Sequence, residues 1–187
     1  HDLAIFFPGS YQVKLSEVNR ISELTSKCKC LTGKKKKLAE NIKDFRHSYI
    51  LLTLVKKKKQ FTVCNTHLVS NPKFDKIKIL QSYLLAKRLE NIKKTILCGD
   101  FNSMPDSKVY QLLSSGKINY PYYGTLHLKN KLDSVYNILH NEKNITTHAS
   151  NIGTIKFTET IDYIWISNDI NPTKTLPILN REKADTK

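Results

Sequence analysis

Apolar residues fall at two periods along this chain, and the change of period marks its elements. In Phe74–Lys94, Ile77, Leu80, Leu84, Leu85, Leu89 and Ile92 recur at three- and four-residue steps, with Lys76, Lys87, Glu90 and Lys93 on the other side. That spacing predicts a helix laid on a sheet. The runs Ser48–Val55 and Gln60–Thr66 are β-branched and apolar, and the Lys56–Lys59 run between them predicts a hairpin with a charged turn. Asp2–Phe7, stopped by Pro8-Gly9, reads as a strand, and Val13–Arg20 as an edge strand. Thr95–Cys98 and Ile161–Ser167 read as buried strands, so strand, long helix and strand form one crossover unit. Lys131–His140 is a predicted short helix, whereas Cys28–Asp44 reads as an exposed loop with a helical turn, Asn119–Lys131 as a loop and Thr146–Phe157 as irregular. After Ser107, Val109, Leu112 and Leu113 predict a helix with Asp106 as N-cap and Gly116 as C-cap.

The 187 residues are about one domain in length, and the formal charge of +15 favours a polyanionic partner such as nucleic acid. Much of that excess sits in Lys34–Lys37 and Lys56–Lys59, which read as solvated loops before they read as a phosphate track. The four cysteines lack the paired spacing of a zinc site, and Cys64 and Cys98 within apolar strands predict a reduced, intracellular setting; the expected compartment is the cytoplasm, with nucleus and mitochondrion as alternatives. No apolar run is long enough to cross a bilayer, so no membrane role is expected.

The candidate chemistry sits where strands end. Leu97-Cys98-Gly99-Asp100-Phe101-Asn102 carries a buried strand into an aspartate and an asparagine. In extended backbone these two face one side, one able to take a proton or touch a metal, the other to donate to an oxyanion. The plainer reading is an Asx-rich turn. His67, in Asn65-Thr66-His67-Leu68, rides on a second strand end and reads as structural or catalytic. Asp162, in an otherwise apolar strand, calls for a partner: a turn or a catalytic histidine.

Together, Asn65-Thr66-His67-Leu68, Gly99-Asp100-Phe101-Asn102-Ser103 and Ile161-Asp162-Tyr163-Ile164 resemble, in order and spacing, the endonuclease/exonuclease/phosphatase superfamily. Asn71-Pro72-Lys73-Phe74, Lys78, Gln81, the continuation Met104–Ser107 and Ser115-Gly116 resemble its deadenylase and 2',5'-phosphodiesterase branch, which includes the CCR-NOT nuclease subunits, Angel and nocturnin.

The resemblance implies an α/β fold, a four-layer α/β sandwich of two mixed sheets flanked by helices. It further implies Mg²⁺-dependent phosphodiester hydrolysis (Mn²⁺ serving in its place) on poly(A) or 2',5'-oligoadenylate RNA, within a multi-subunit deadenylase complex. Asp100 would orient or deprotonate the water and, with Asn102, touch the metal. Asn102 and His67 would bind the scissile phosphate, and Asp162 would pair with a catalytic histidine. Phe157 would stack on a base opposite Pro72; without the resemblance it reads as packing. A nucleotide 2'-phosphatase and a catalytically degenerate RNA-binding scaffold are the alternatives. The family's metal-binding Gln-Glu-Val glutamate and closing Ser-Asp-His motif do not occur in these residues. The chain is therefore expected to be a partial catalytic domain over 1–187, lacking its N-terminal part and last strand, with a lysine-rich loop or insertion at about 26–44.

Overall fold

A computed structural model describes residues 3–28, 31–140, 147–152 and 155–175. Its centre is a six-stranded sheet in the order β1-β2-β3-β4-β10-β7. These strands are β1 (Gln12–Arg20), β2 (Ser48–Lys56), β3 (Lys59–His67), β4 (Thr95–Asp100), β7 (Asp133–Ser134) and β10 (Asp162–Ile166). Among the described residues only the β3–β4 pair is parallel, because α3 (Asp75–Leu89) carries the chain from the end of one strand back to the start of the other. The predicted hairpin, crossover and edge strand are all present, and the mixed α/β class is as expected.

The strand register divides the sheet into two faces. Leu51, Cys64, Leu97 and Trp165 stand side by side across four strands, each 1% exposed or less, in one core with Ile77, Leu80 and Leu84 of α3. On the other face the neighbours Val63, Ile96, Cys98 and Ile164 are only half-buried.

Several expectations are corrected. Leu3–Phe7 form no strand, and Phe6 is left 95% exposed. The segment 31–44 is not simply a loop: α2 (Lys34–Glu40) and a following 3-10 turn bury Leu31, Ala39 and Ile42, while α1 (Leu24–Lys27) precedes it. Lys36 and Lys37 are exposed, while these three apolar residues join the core. The hairpin of β5 (Lys117–Tyr120) and β6 (Gly124–His127) runs into Asn119–Lys131, and β8 (Thr147–Ile152) pairs with β9 (Ile155–Glu159) where irregular chain was expected. The helix α4 (Lys108–Ser115) is capped by Ser107, whose Oγ accepts from Tyr110 N–H, and not by Asp106; Gly116 closes it in the left-handed region as predicted. The last helix, α5 (Val135–His140), follows β7 directly.

Candidate active site

The site is built from three neighbouring strand ends. His67 is the last residue of β3, Asp100 the last of β4 and Asp162 the first of the antiparallel β10. The register pairs His67 with Asp100 and Asp100 with Asp162, so an imidazole and two carboxylates form a row at one edge of the half-open face. His67 Nε2 lies 3.5 Å from Asp100 Oδ2.

A glycine makes this alignment feasible. A Cβ on Gly99, whose φ is +133°, would come within 1.8 Å of the Thr66 carbonyl oxygen. Only glycine lets β4 pass β3 this closely and then release Asp100.

The extended Asp100-x-Asn102 geometry expected from sequence is corrected at the next step. β4 stops at Asp100, and Asn102 adopts φ +47°, a left-handed conformation that asparagine tolerates better than most residues. The turn folds Asn102 back: its N–H donates to Asp100 Oδ1 at 2.7 Å, and its Nδ2 donates to the Leu68 carbonyl at 3.0 Å. One Nδ2 hydrogen is thus committed to the scaffold, and the second is free of that bond.

The periodicity of α3 reads as packing, and the resemblance singles out Lys78 and Gln81 on it without giving them a role; the structure shows what they hold. Lys78 and Gln81 lie in a stretch buried on all sides. Lys78 Nζ donates to the Asn102 carbonyl at 2.8 Å and pairs with Asp75 at 3.0 Å. Gln81 Oε1 accepts from Val69 N–H at 3.1 Å, fixing the chain just past His67. Polar residues three apart within an apolar helix face were the available signal. From the other side, the Tyr163 hydroxyl lies 2.8 Å from the Ser103 carbonyl, and Phe101 packs edge-on against the Tyr163 and Trp165 rings. The loop is therefore held on both flanks.

Electrostatics distinguish Asp100. Burial raises its pKa above the ordinary aspartate value, and the neighbouring Asp162 charge raises it further. The Asn102 N–H, His67 and Lys78 oppose the rise. A more basic carboxylate takes a proton from water more readily. The half-buried Cys98, two residues earlier, is pushed up to about 11 by burial, and Cys64 is pushed higher still. Neither free thiol supplies a thiolate near neutral pH.

Of the residues singled out from sequence, His67, Asp100, Asn102 and Asp162 come together. Pro72 stands apart in an exposed 3-10 turn leading into α3, and Phe157 is placed by its backbone alone, opposite Ala149 in β9. Among the described residues no group of three or more His, Cys, Asp or Glu could enclose a metal, and no helix is long and apolar enough to cross a membrane.

Fold and site together define a mixed α/β protein with an acid–imidazole row at the edge of its sheet. The Endonuclease/Exonuclease/phosphatase family matches residues 15–182, and the chain belongs to that family. It is 35% identical over 134 residues to the CCR4-Not complex 3'-5'-exoribonuclease subunit Ccr4 of Candida albicans, an alignment covering 58% of this chain and 16% of that protein. Its fold is similar to that of ANGEL2, a 2',3'-cyclic phosphatase, with a TM-score of 0.73 at 19% identity over 96% of this chain and 63% of the other. The human nocturnin catalytic domain gives a TM-score of 0.54 at 24% identity, covering 87% of this chain and 50% of the other. The chain thus spans only part of the length of the relatives it matches.

Proposed function

We propose that this chain is part of a Mg²⁺-dependent phosphodiesterase that shortens RNA from its 3' end, acting on poly(A) or 2',5'-oligoadenylate. The observation that carries this reading is the His67–Asp100–Asp162 row with Asn102 folded against it. The +15 charge suits a polyanionic substrate, and likeness to Ccr4 supports RNA as that substrate. The same likeness supports a multi-subunit complex as its proposed setting, and cytoplasmic mRNA decay is the proposed process.

The donor set fits the metal. Asp100 and Asn102 present hard oxygens, and Mg²⁺ is commonly held by one or two carboxylates with water filling its other positions. The charge of Asp162 beside the half-buried Asp100 is a repulsion that a cation at Asp100 would relieve. When bound, the ion polarises the phosphoryl oxygens and neutralises developing charge.

The residues of this chain do the rest. Asp100 orients the attacking water and accepts its proton. His67 and the remaining N–H of the Asn102 amide donate to the scissile phosphate oxygens. Asp162 orients an imidazole and fixes its tautomer. Phe157 stacks on a base and Pro72 closes the opposing face; stacking contributes roughly 1–3 kcal/mol per base.

The test is hydrolysis of labelled oligoadenylate, 3',5'- or 2',5'-linked, with Mg²⁺ or with EDTA. Stepwise Mg²⁺-dependent shortening from the 3' end is expected, and the faster linkage identifies the substrate. Release of phosphate from a 2'-phosphorylated nucleotide without shortening would assign a nucleotide phosphatase instead, and binding without cleavage an RNA-binding scaffold. Phe157→Ala is expected to slow poly(A) turnover more than poly(U) turnover; equal slowing would remove its stacking role.

A further inference from the structure

Between the start of β2 and the end of β3 lies a cavity of about 280 Å³ lined by Leu3, Arg46, His47, Ser48 and His67. The strand order puts it on the β2 side of His67, away from Asp100 on β4. No carboxylate stands among the described lining residues; a guanidinium, two imidazoles and a hydroxyl do.

His47 is held in place: its carbonyl accepts from Ile21 N–H at 2.9 Å, and its ring lies 6.3 Å from that of Phe45. Its Nδ1 is shielded from water and has no hydrogen-bond partner among the described residues. Burial, and next the neighbouring His67, lower the pKa of His47.

We propose that Arg46, His47 and Ser48 form an anion subsite that takes a phosphate of the substrate next to the one held at His67. Arginine grips phosphate oxygens in a fork, and the imidazole and hydroxyl donate from other directions, which suits a tetrahedral oxyanion better than a planar carboxylate. That the anion is a second phosphate of the same substrate rests on the phosphodiesterase reading; that the cavity binds an oxyanion does not.

The experiment is read in EDTA, without turnover. Inorganic phosphate is titrated into the protein while the His47 imidazole resonances are followed by NMR, for the unaltered chain and for Arg46→Gln, an exposed substitution whose folding is checked by circular dichroism. Affinities are then compared for an adenylate dinucleotide with and without a 5'-phosphate. The expected results are a phosphate-dependent shift at His47, affinity about tenfold or more weaker in Arg46→Gln, and tighter binding of the 5'-phosphorylated dinucleotide that Arg46→Gln abolishes. No shift at His47, or an affinity indifferent to Arg46, would overturn the subsite. A shift at His47 with equal binding of both dinucleotides would overturn its assignment to the substrate. Because no cleavage is needed, this outcome and the outcome of the hydrolysis assay are independent.

Discussion

Backbone strain occurs at both ends of the β3–β4 pair, and the two ends use it differently. At one end Lys57 and Lys58, with φ of +47° and +60°, make the two-residue turn from β2 to β3, and Lys94, at +50°, opens β4. At the other end stand Gly99 and Asn102, at +133° and +47°. The far end is quiet chemically: the Lys94 N–H donates to the Asp169 carboxylate, the Thr95 N–H donates to Ser167 Oγ, and the lysines of the turn are exposed. At the near end the strain places a half-buried carboxylate beside a second carboxylate and an imidazole. Strain by itself therefore does not mark function; strain that holds like charges together does.

The largest effect is expected at Gly99. Gly99→Ala should lower stability by at least about 3 kcal/mol in urea denaturation, because the Thr66 carbonyl occupies the space a methyl would need. A loss below about 1 kcal/mol would mean that β3 and β4 can separate without harm.

Next come two glycine substitutions at matched left-handed positions. Asn102→Gly relieves the backbone but removes the Nδ2 bond to Leu68, so stability should change by no more than about 1 kcal/mol. Hydrolysis should nevertheless fall roughly 100-fold. Lys58→Gly should raise stability by about 0.5–1 kcal/mol, since a turn of this type prefers glycine, and leave hydrolysis unchanged. Equal effects of the two on hydrolysis would erase the distinction between the ends.

The frame of the fold was legible in the sequence because α3, β2, β3 and β10 carry long periodic patterns. The strand-end positions of His67, Asp100 and Asp162 were legible too, but their alignment in one row comes from the strand register. What escaped was set by tertiary contact. Lys78 looks like any helix lysine until the Asn102 carbonyl is placed beside it, and Asn102 looks extended until its N–H turns back onto Asp100. Leu3–Phe7 has strand composition, yet composition cannot say whether a neighbour is there to pair with it. The Asn65 amide binds the Ala4 carbonyl instead, one side-chain contact in place of a ladder.

The central claim is that Asp100 sits where it does for chemistry and at a cost to the fold. Its carboxyl is raised, so the folded state resists ionisation more than the unfolded chain does. That penalty is absent below both pKa values, grows as pH rises through the unfolded value near 3.9, and is complete above the folded value. The most direct measurement is the thermal midpoint of Asp100→Asn in EDTA from about pH 3 to pH 7, with hydrolysis in Mg²⁺ measured alongside. The account predicts a midpoint above that of the unaltered protein at pH 7, a difference that disappears toward pH 3, and loss of hydrolysis. A lower midpoint at pH 7 would make Asp100 a structural residue and contradict it.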